Sequence, residues 1–234
     1  MANHLIVGAS RGLGAALVEA LPRKGDSVFG LSRSKPDWLR GRTTAIQRAW
    51  IEADLSELSS VQNARAIIGK TPIDALIYVA AIQDPDGFDE IYDDEIAEIL
   101  DIDLRSFLAF ARGLAPNLRR AEHAKIIAIS STSGLANGDG SSVVYTAAKF
   151  GLRGACHALR QHFRRDGIAV TCLSPGAIAS DVPYREGTAA ALKKHRGKRM
   201  PVADLVAMIR CILDLSPASC VKEIAMPALK DEDV

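Results

Sequence analysis

The stretch Ser130-Ser131-Thr132-Ser133-Gly134-Leu135-Ala136-Asn137-Gly138-Asp139-Gly140-Ser141-Ser142-Val143-Val144-Tyr145-Thr146-Ala147-Ala148-Lys149 decides how the rest of the chain is read. It follows Ile126-Ile127-Ala128-Ile129, an apolar run that predicts a buried parallel strand. A loop rich in Gly, Ser and Asn comes next, and a helix is expected from about Val143, continuing over 150–165. Tyr145 and Lys149 are spaced i,i+4, so that helix places them on one face, one above the other. A phenol, with a reference pKa of about 10, is a poor general base at neutral pH, and a neighbouring ammonium favours its ionised form. A serine hydroxyl at the mouth of the preceding strand can donate to a carbonyl or alkoxide oxygen. Together these groups make a proton-transfer site for interconverting a carbonyl and an alcohol. Taken alone, the same residues also suit an ordinary helix after an ordinary serine loop.

The start of the chain changes that balance. His4-Leu5-Ile6-Val7 predicts a first strand, Gly8-Ala9-Ser10-Arg11-Gly12-Leu13-Gly14 a glycine loop, and 15–23 a helix closed by Gly25. In a strand–loop–helix unit, small residues let the backbone approach a pyrophosphate, and the helix N-terminus faces it with unpaired N–H groups. The spacing is G-x-x-x-G-x-G, a loose match to the dinucleotide fingerprint, so glycines used for packing remain an alternative. The second strand, 27–31, ends in Ser32-Arg33-Ser34, where an NAD-selective site carries an acidic residue. Arg33 and Arg11 suit a 2′-phosphate instead, which points to NADP(H) over NAD(H); two solvated arginines are the plainer reading.

Further along, 46–52 predicts a third strand, and Asp54 is read as part of the next helix's N-cap region, as an acceptor for an adenine amino group, or as both. Expected next are a helix over 56–69, a strand over 73–80 and a loop at 84–87. One long helix follows over 92–117, with apolar residues at Ile96, Ile99, Leu100, Leu104, Phe107, Leu108 and Leu114. After the central stretch come a strand over 168–173, the turn Ser174-Pro175-Gly176-Ala177-Ile178 and a basic segment over 183–200. A helix over 201–215, a last strand over 221–226 and an acidic tail complete the chain. Strands alternating with helices throughout argue for a single α/β domain over 1–234, a Rossmann-like doubly wound parallel sheet with helices on both faces.

The chain has 234 residues, 48% of them hydrophobic and 24% charged, enough for one large core. Its formal charge of +1 argues against a nucleic-acid or membrane-surface role driven by bulk electrostatics. Four cysteines sit in apolar segments without metal-ligand spacing, so no metal site is expected and they read as buried free thiols. Neither a signal peptide nor a run long enough to span a membrane is visible, and a cytoplasmic location is expected.

At this point the residues resemble the short-chain dehydrogenases/reductases over nearly the whole chain. Gly8 to Gly14 is similar to that family's glycine motif, and Asp54-Leu55 to its adenine-contacting pair. Ser131 (three before Gly134), Tyr145 and Lys149 match its catalytic serine, tyrosine and lysine. Pro175-Gly176 with Ile178 and Ser180 resembles the segment that contacts the nicotinamide carboxamide, serine replacing the usual threonine. The resemblance implies a seven-stranded parallel sheet, hydride transfer from a nicotinamide, and a homodimer or homotetramer built from the long helices. Two departures stand out. The family's Asn-Asn-Ala-Gly appears as Tyr78-Val79-Ala80-Ala81, where Ala80 and Ala81 can still serve backbone contacts to the cofactor. The family's catalytic asparagine aligns with Asp103, which can accept but not donate.

Two functions follow as alternatives. One is an NADP(H)-dependent oxidoreductase acting on a small carbonyl or alcohol, with Tyr145 as acid/base. The other is an NADP(H)-binding regulator without turnover, which Asp103 and the altered segment would suit. The substrate pocket is expected from Gln83, Asp84, Leu135 and the segment 182–199, with 183–200 as a substrate-side lid, and the basic run 193–199 reads more simply as a solvated helix face.

Overall fold

A computed structural model describes residues 1–40, 46–84, 87–135 and 142–230. Residues 41–45, parts of the expected loops around 84–87 and 134–142, and most of the acidic tail, lie outside the described residues. Seven strands form one sheet in the order β3-β2-β1-β4-β5-β6-β7, every neighbouring pair parallel. They are β1 (Asn3–Val7), β2 (Ser27–Ser32), β3 (Gln47–Glu52), β4 (Ala75–Tyr78), β5 (Lys125–Ile129), β6 (Ala169–Pro175) and β7 (Glu223–Met226). The sequence expectation of a doubly wound parallel sheet is met, with strand ends shifted by at most two residues.

The period-two geometry of a strand divides the central side chains between two apolar layers. Leu5, Val7, Leu76, Tyr78, Ile126 and Ala128 face the layer covered by α2 (Leu58–Ile68), α4 (Ser106–Gly113) and α6 (Val143–Phe163). Ile6, Ile77, Ile127 and Ile129 face the other, covered by α1 (Gly12–Ala20) and α8 (Val202–Asp214). α3 (Asp93–Leu100), the short α5 (Ala115–Leu118) and α7 (Gly187–His195) complete the helices. Among the described residues no helix is long and apolar enough to cross a membrane.

Three expectations need correction. The single helix expected over 92–117 is interrupted by a π turn at Asp101–Arg105, between α3 and α4. The apolar spacing is continuous across it, so periodicity alone could not reveal the break. α1 begins at Gly12, three residues before the expected start, so it opens inside the glycine loop. Cys156 and Cys172 are buried free thiols, but Cys211 and Cys220 are exposed. Cys211 falls on the outward side of α8, and Cys220 in the connection before β7.

At the N-terminal end of the sheet, buried His4 has Nε2 3.6 Å from Asp26 Oδ2. Burial holds the imidazole below its ordinary range, against the pull of Asp26. The folded protein therefore binds fewer protons at His4 than the unfolded chain. The stability contributed by neutral His4 is present above the unfolded value of about 6.5 and is lost as pH falls through the lower folded value. Urea unfolding between pH 7 and pH 5 should show declining stability, and His4→Gln should flatten that decline. An identical slope in the variant would remove His4 as the cause.

Candidate active site

Parallel strands end together, and the loops that follow β1, β2, β4, β5 and β6 surround one cleft of about 1510 Å³. It lies where the strand order reverses between β1 and β4, the place where open α/β sheets bind ligands. Sixteen of the catalytic and cofactor-binding candidates line it: Gly8, Ser10, Arg11, Gly12, Leu13, Arg33, Leu55, Ala80, Ala81, Ser131, Tyr145, Lys149, Pro175, Gly176, Ile178 and Ser180. Gly14, Asp54 and Asp103 are not on its wall.

The glycine loop is shaped by close approaches. Gly8 has φ +90°, and a Cβ there would lie 2.5 Å from the Ala80 nitrogen, so only glycine lets the β1 loop meet the β4 loop. Gly14 serves packing: its Cβ would fall 1.9 Å from the Gly8 carbonyl oxygen, which explains its absence from the cleft wall. The loop backbone is held from below. Gly8 and Ala9 N–H both donate to Leu31 O at 2.9 Å, and Trp38 Nε1 donates to Ala9 O at 2.7 Å. Asp54 lies off the cleft wall, its Oδ1 accepting from Ser56 N–H at 3.0 Å and Ser56 Oγ–H at 2.7 Å. Its neighbours Ala53 and Leu55 face the cleft instead.

Helix α6 carries Tyr145 and Lys149, and its placement depends on three contacts outside it. Asp84 accepts from the Val144 N–H at 3.1 Å and the Tyr145 N–H at 2.8 Å, satisfying two of the four orphan donors of the helix start. Ser142, at the cap position, makes no side-chain cap bond, so a remote carboxylate does the work. Asp84 is thereby drawn away from the substrate-lining role expected of it, whereas Gln83 and Leu135 do line the cleft. Gly134 lets the serine loop lie against α6, since a Cβ would sit 2.9 Å from the Lys149 backbone. Ser130 Oγ donates to Lys149 O at 3.2 Å, and next to it Ser131 Oγ accepts from Ser133 N–H at 3.1 Å. Lys149 Nζ lies 5.1 Å from the Tyr145 ring centroid, donates to Ile129 O at 3.4 Å and pairs with Asp103 Oδ2 at 2.9 Å.

That ion pair is buried on both sides, with Lys149 1% and Asp103 0% exposed. Burial pushes the Asp103 carboxyl above the usual range, opposed by the Lys149 ammonium and by the Ile82 N–H, which donates to Oδ1 at 2.9 Å. The altered segment after β4 has its own partners. Tyr78 is fully buried, and its hydroxyl meets Ile102 O and Ser106 Oγ in the π turn and the start of α4. Nothing in the local sequence marked Tyr78 or Asp84 as supports of the site, because both act across long sequence separations.

The charged residues lining the cleft are Arg11, Arg33, Lys149 and Arg199, with no Asp or Glu among the described lining residues. Arg33 Nη1 lies 3.4 Å from Glu98 Oε1, an exposed pair that a stronger anion can displace. Chemically, the cleft offers a glycine-lined approach for a phosphate-bearing ligand, cations at several points, and a hydroxyl–phenol–ammonium set at one end.

A family model of short chain dehydrogenases matches residues 2–189. The 3-oxoacyl-(acyl-carrier-protein) reductase FabG of Escherichia coli is 29% identical over 185 residues, covering 76% of this chain and 74% of that protein. The ketoacyl reductase HetN of a Nostoc species is 30% identical over 217 residues, covering 89% of this chain and 74% of that protein. Among solved structures, a 4-hydroxyisoleucine dehydrogenase complexed with NADH superposes with a TM-score of 0.82 at 20% identity, covering 97% of this chain and 98% of the other.

Removal of the remote cap tests how α6 is anchored. Asp84→Ala should cost about 1 kcal/mol of unfolding free energy in urea, and Asp84→Asn much less, because Asn is also a good cap acceptor. Equal losses in the two variants would mean that the carboxylate's charge, and not the capping bonds, holds the helix.

Proposed function

The chain belongs to the short-chain dehydrogenases, and on that footing we propose that it is an NADP(H)-dependent oxidoreductase interconverting a carbonyl and an alcohol by hydride transfer. The observation that carries this reading is that Ser131, Tyr145 and Lys149 line the same cleft as the glycine loop. The residues fit a nicotinamide dinucleotide. Gly8 and Gly12 let the loop backbone lie close against Ala80 and Ser180 on the cleft wall, which carries cations without acids. Gly8, Ser10, Gly12 and Leu13 would hold its diphosphate and Leu55 would contact its adenine. Ala80, Ala81, Pro175, Gly176, Ile178 and Ser180 would enclose its nicotinamide half. The cofactor, when bound, supplies or takes up the hydride.

In this reading Ser131 Oγ donates a hydrogen bond to the substrate oxygen, which polarises a carbonyl or steadies an alkoxide. The Tyr145 hydroxyl gives that oxygen its proton during reduction and takes it back during oxidation. Lys149, a fixed ammonium beside the ring, stabilises negative charge on the phenol oxygen and offers a contact to ribose. Asp103 acts through Lys149, whose position it sets. Arg11 and Arg33, with Ser32 and Ser34 beside them on the cleft wall, favour a 2′-phosphate and hence NADP(H). We further place the 183–200 segment on the substrate side as a lid. The protein is read as a cytoplasmic homodimer or homotetramer: its four cysteines are unpaired, and α4 and α6 expose Leu108, Val143 and Phe150.

A second reading, an NADP(H)-binding regulator with little or no turnover, rests on the Asp103 carboxylate that engages the lysine ammonium at 2.9 Å. Oxidation of NADPH in the presence of aldehydes, ketones and quinones separates the two. The enzyme reading expects turnover of at least one class, and nucleotide binding without any turnover supports the regulator.

Tyr145→Phe should abolish turnover while leaving NADPH affinity nearly unchanged, because the phenol acts on the substrate; substantial residual activity would take Tyr145 out of the mechanism. Arg33→Ala should weaken NADPH binding by about tenfold or more and NADH binding far less, as expected for one lost charge-assisted contact. Equal affinities of the unmutated protein for the two cofactors would contradict the NADP(H) preference.

A further inference from the structure

The basic run 193–199, which begins in the last turn of α7, does not behave as one solvated face. Lys194 and His195, in the last turn of the helix, both bind Asp181 at 2.8 Å. Beyond the helix the chain reverses through Arg196 at φ +54° and Gly197 at φ +79°. Arg196 is the one non-glycine residue among those described with positive φ, and it forms the left-handed cap that ends α7 and turns the chain back. The turn delivers Met200 to the loop after β6. Its N–H donates to Ala177 O at 2.8 Å, its carbonyl accepts from Ala179 N–H at 2.9 Å, and it bridges Ile178 in parallel. Met200 is 5% exposed, so the backbone beside it is fixed, and Arg199 next to it lines the cleft. The loop that Met200 grips reaches the start of α1, where a Cβ on Gly12 would lie 3.1 Å from Ser180 Cβ.

Arg199 thus enters the cleft beside the 177–180 loop, whose Ser180 end meets Gly12 at the α1 N-terminus, the part of the cleft suited to a diphosphate. Arg33 marks a different region, at the end of β2. We infer that Arg199 is a cofactor-binding residue that grips the diphosphate of the nicotinamide dinucleotide, together with the N-terminus of α1. A guanidinium suits two adjacent phosphate oxygens through its planar fork, and the Arg196-Gly197 turn that ends α7 leads the chain back to the cleft. The inference rests on the dinucleotide-binding reading above and adds a residue outside the motifs that suggested it.

Binding is measured by calorimetry on the whole protein with NADPH, NADH and ADP-ribose, all of which contain the diphosphate. Arg199→Ala should raise the dissociation constant of all three by a similar factor, about tenfold, and Arg199→Lys should recover part of the loss. The side chain is exposed, and matching urea unfolding curves check that the fold is intact. A loss confined to NADPH would make Arg199 a reader of the 2′-phosphate and overturn the inference. Unchanged nucleotide affinities would overturn it too, and a raised KM for a carbonyl substrate alongside them would assign Arg199 to the substrate. If the unmutated protein binds none of the three nucleotides, the dinucleotide-binding reading itself fails and takes the inference with it.

Discussion

Two opposite charges, Lys149 and Asp103, meet at 2.9 Å with almost no access to water, and the arrangement of the cleft depends on them. Desolvating each ion costs several kcal/mol, which the attraction between them offsets only while both are present and further hydrogen bonds complete the geometry. The structure supplies those bonds from separate parts of the chain. Ile82 N–H donates to the carboxylate, and the ammonium donates to Ile129 O at the end of β5. The pair thus ties together the loop after β4, the π turn between α3 and α4, the end of β5 and helix α6. Its function follows from this: an ammonium that would otherwise sample many rotamers is fixed beside the Tyr145 ring.

The π turn that carries Asp103 is supported by Tyr78, in the other segment that departs from the family's pattern. Local helical widening of this kind recurs at functional sites because it turns a side chain inward and frees a carbonyl. Here Ile102 O receives Ser106 Oγ–H at 2.9 Å and also meets the Tyr78 hydroxyl. Tyr78 stands where an asparagine is expected, and Asp103 where another is expected, and the two attach to the same turn. The departures belong together: a buried phenol braces the turn from which a carboxylate reaches the lysine.

Most of the frame was legible because it rests on local signals. Period-two apolar runs, the glycine loop after β1 and the i,i+4 spacing of Tyr145 and Lys149 each encode their structure within a few residues. What escaped has partners far away in sequence. The apolar stripe over 92–117 continues through a break that Tyr78 and Asp103 support, so the helix reads as unbroken. Asp84 looks like a loop residue facing substrate until α6 arrives, some sixty residues later, with two unsatisfied N–H groups. Arg199 is one of several cations in a basic run, and only the left-handed turn at Arg196 and the pairing of Met200 with the β6 loop separate it from the rest.

The claim that the buried pair is the joint of the site is tested most directly by a double-mutant cycle in urea, with Asp103→Asn, Lys149→Met and the two combined. If the pair holds these segments together, each single change should cost about 3–5 kcal/mol, since it leaves one buried partner uncompensated. The double variant should then cost less than the sum of the two by roughly 1–3 kcal/mol. Additivity within about 0.5 kcal/mol would mean that Lys149 and Asp103 are held independently, and would contradict the account.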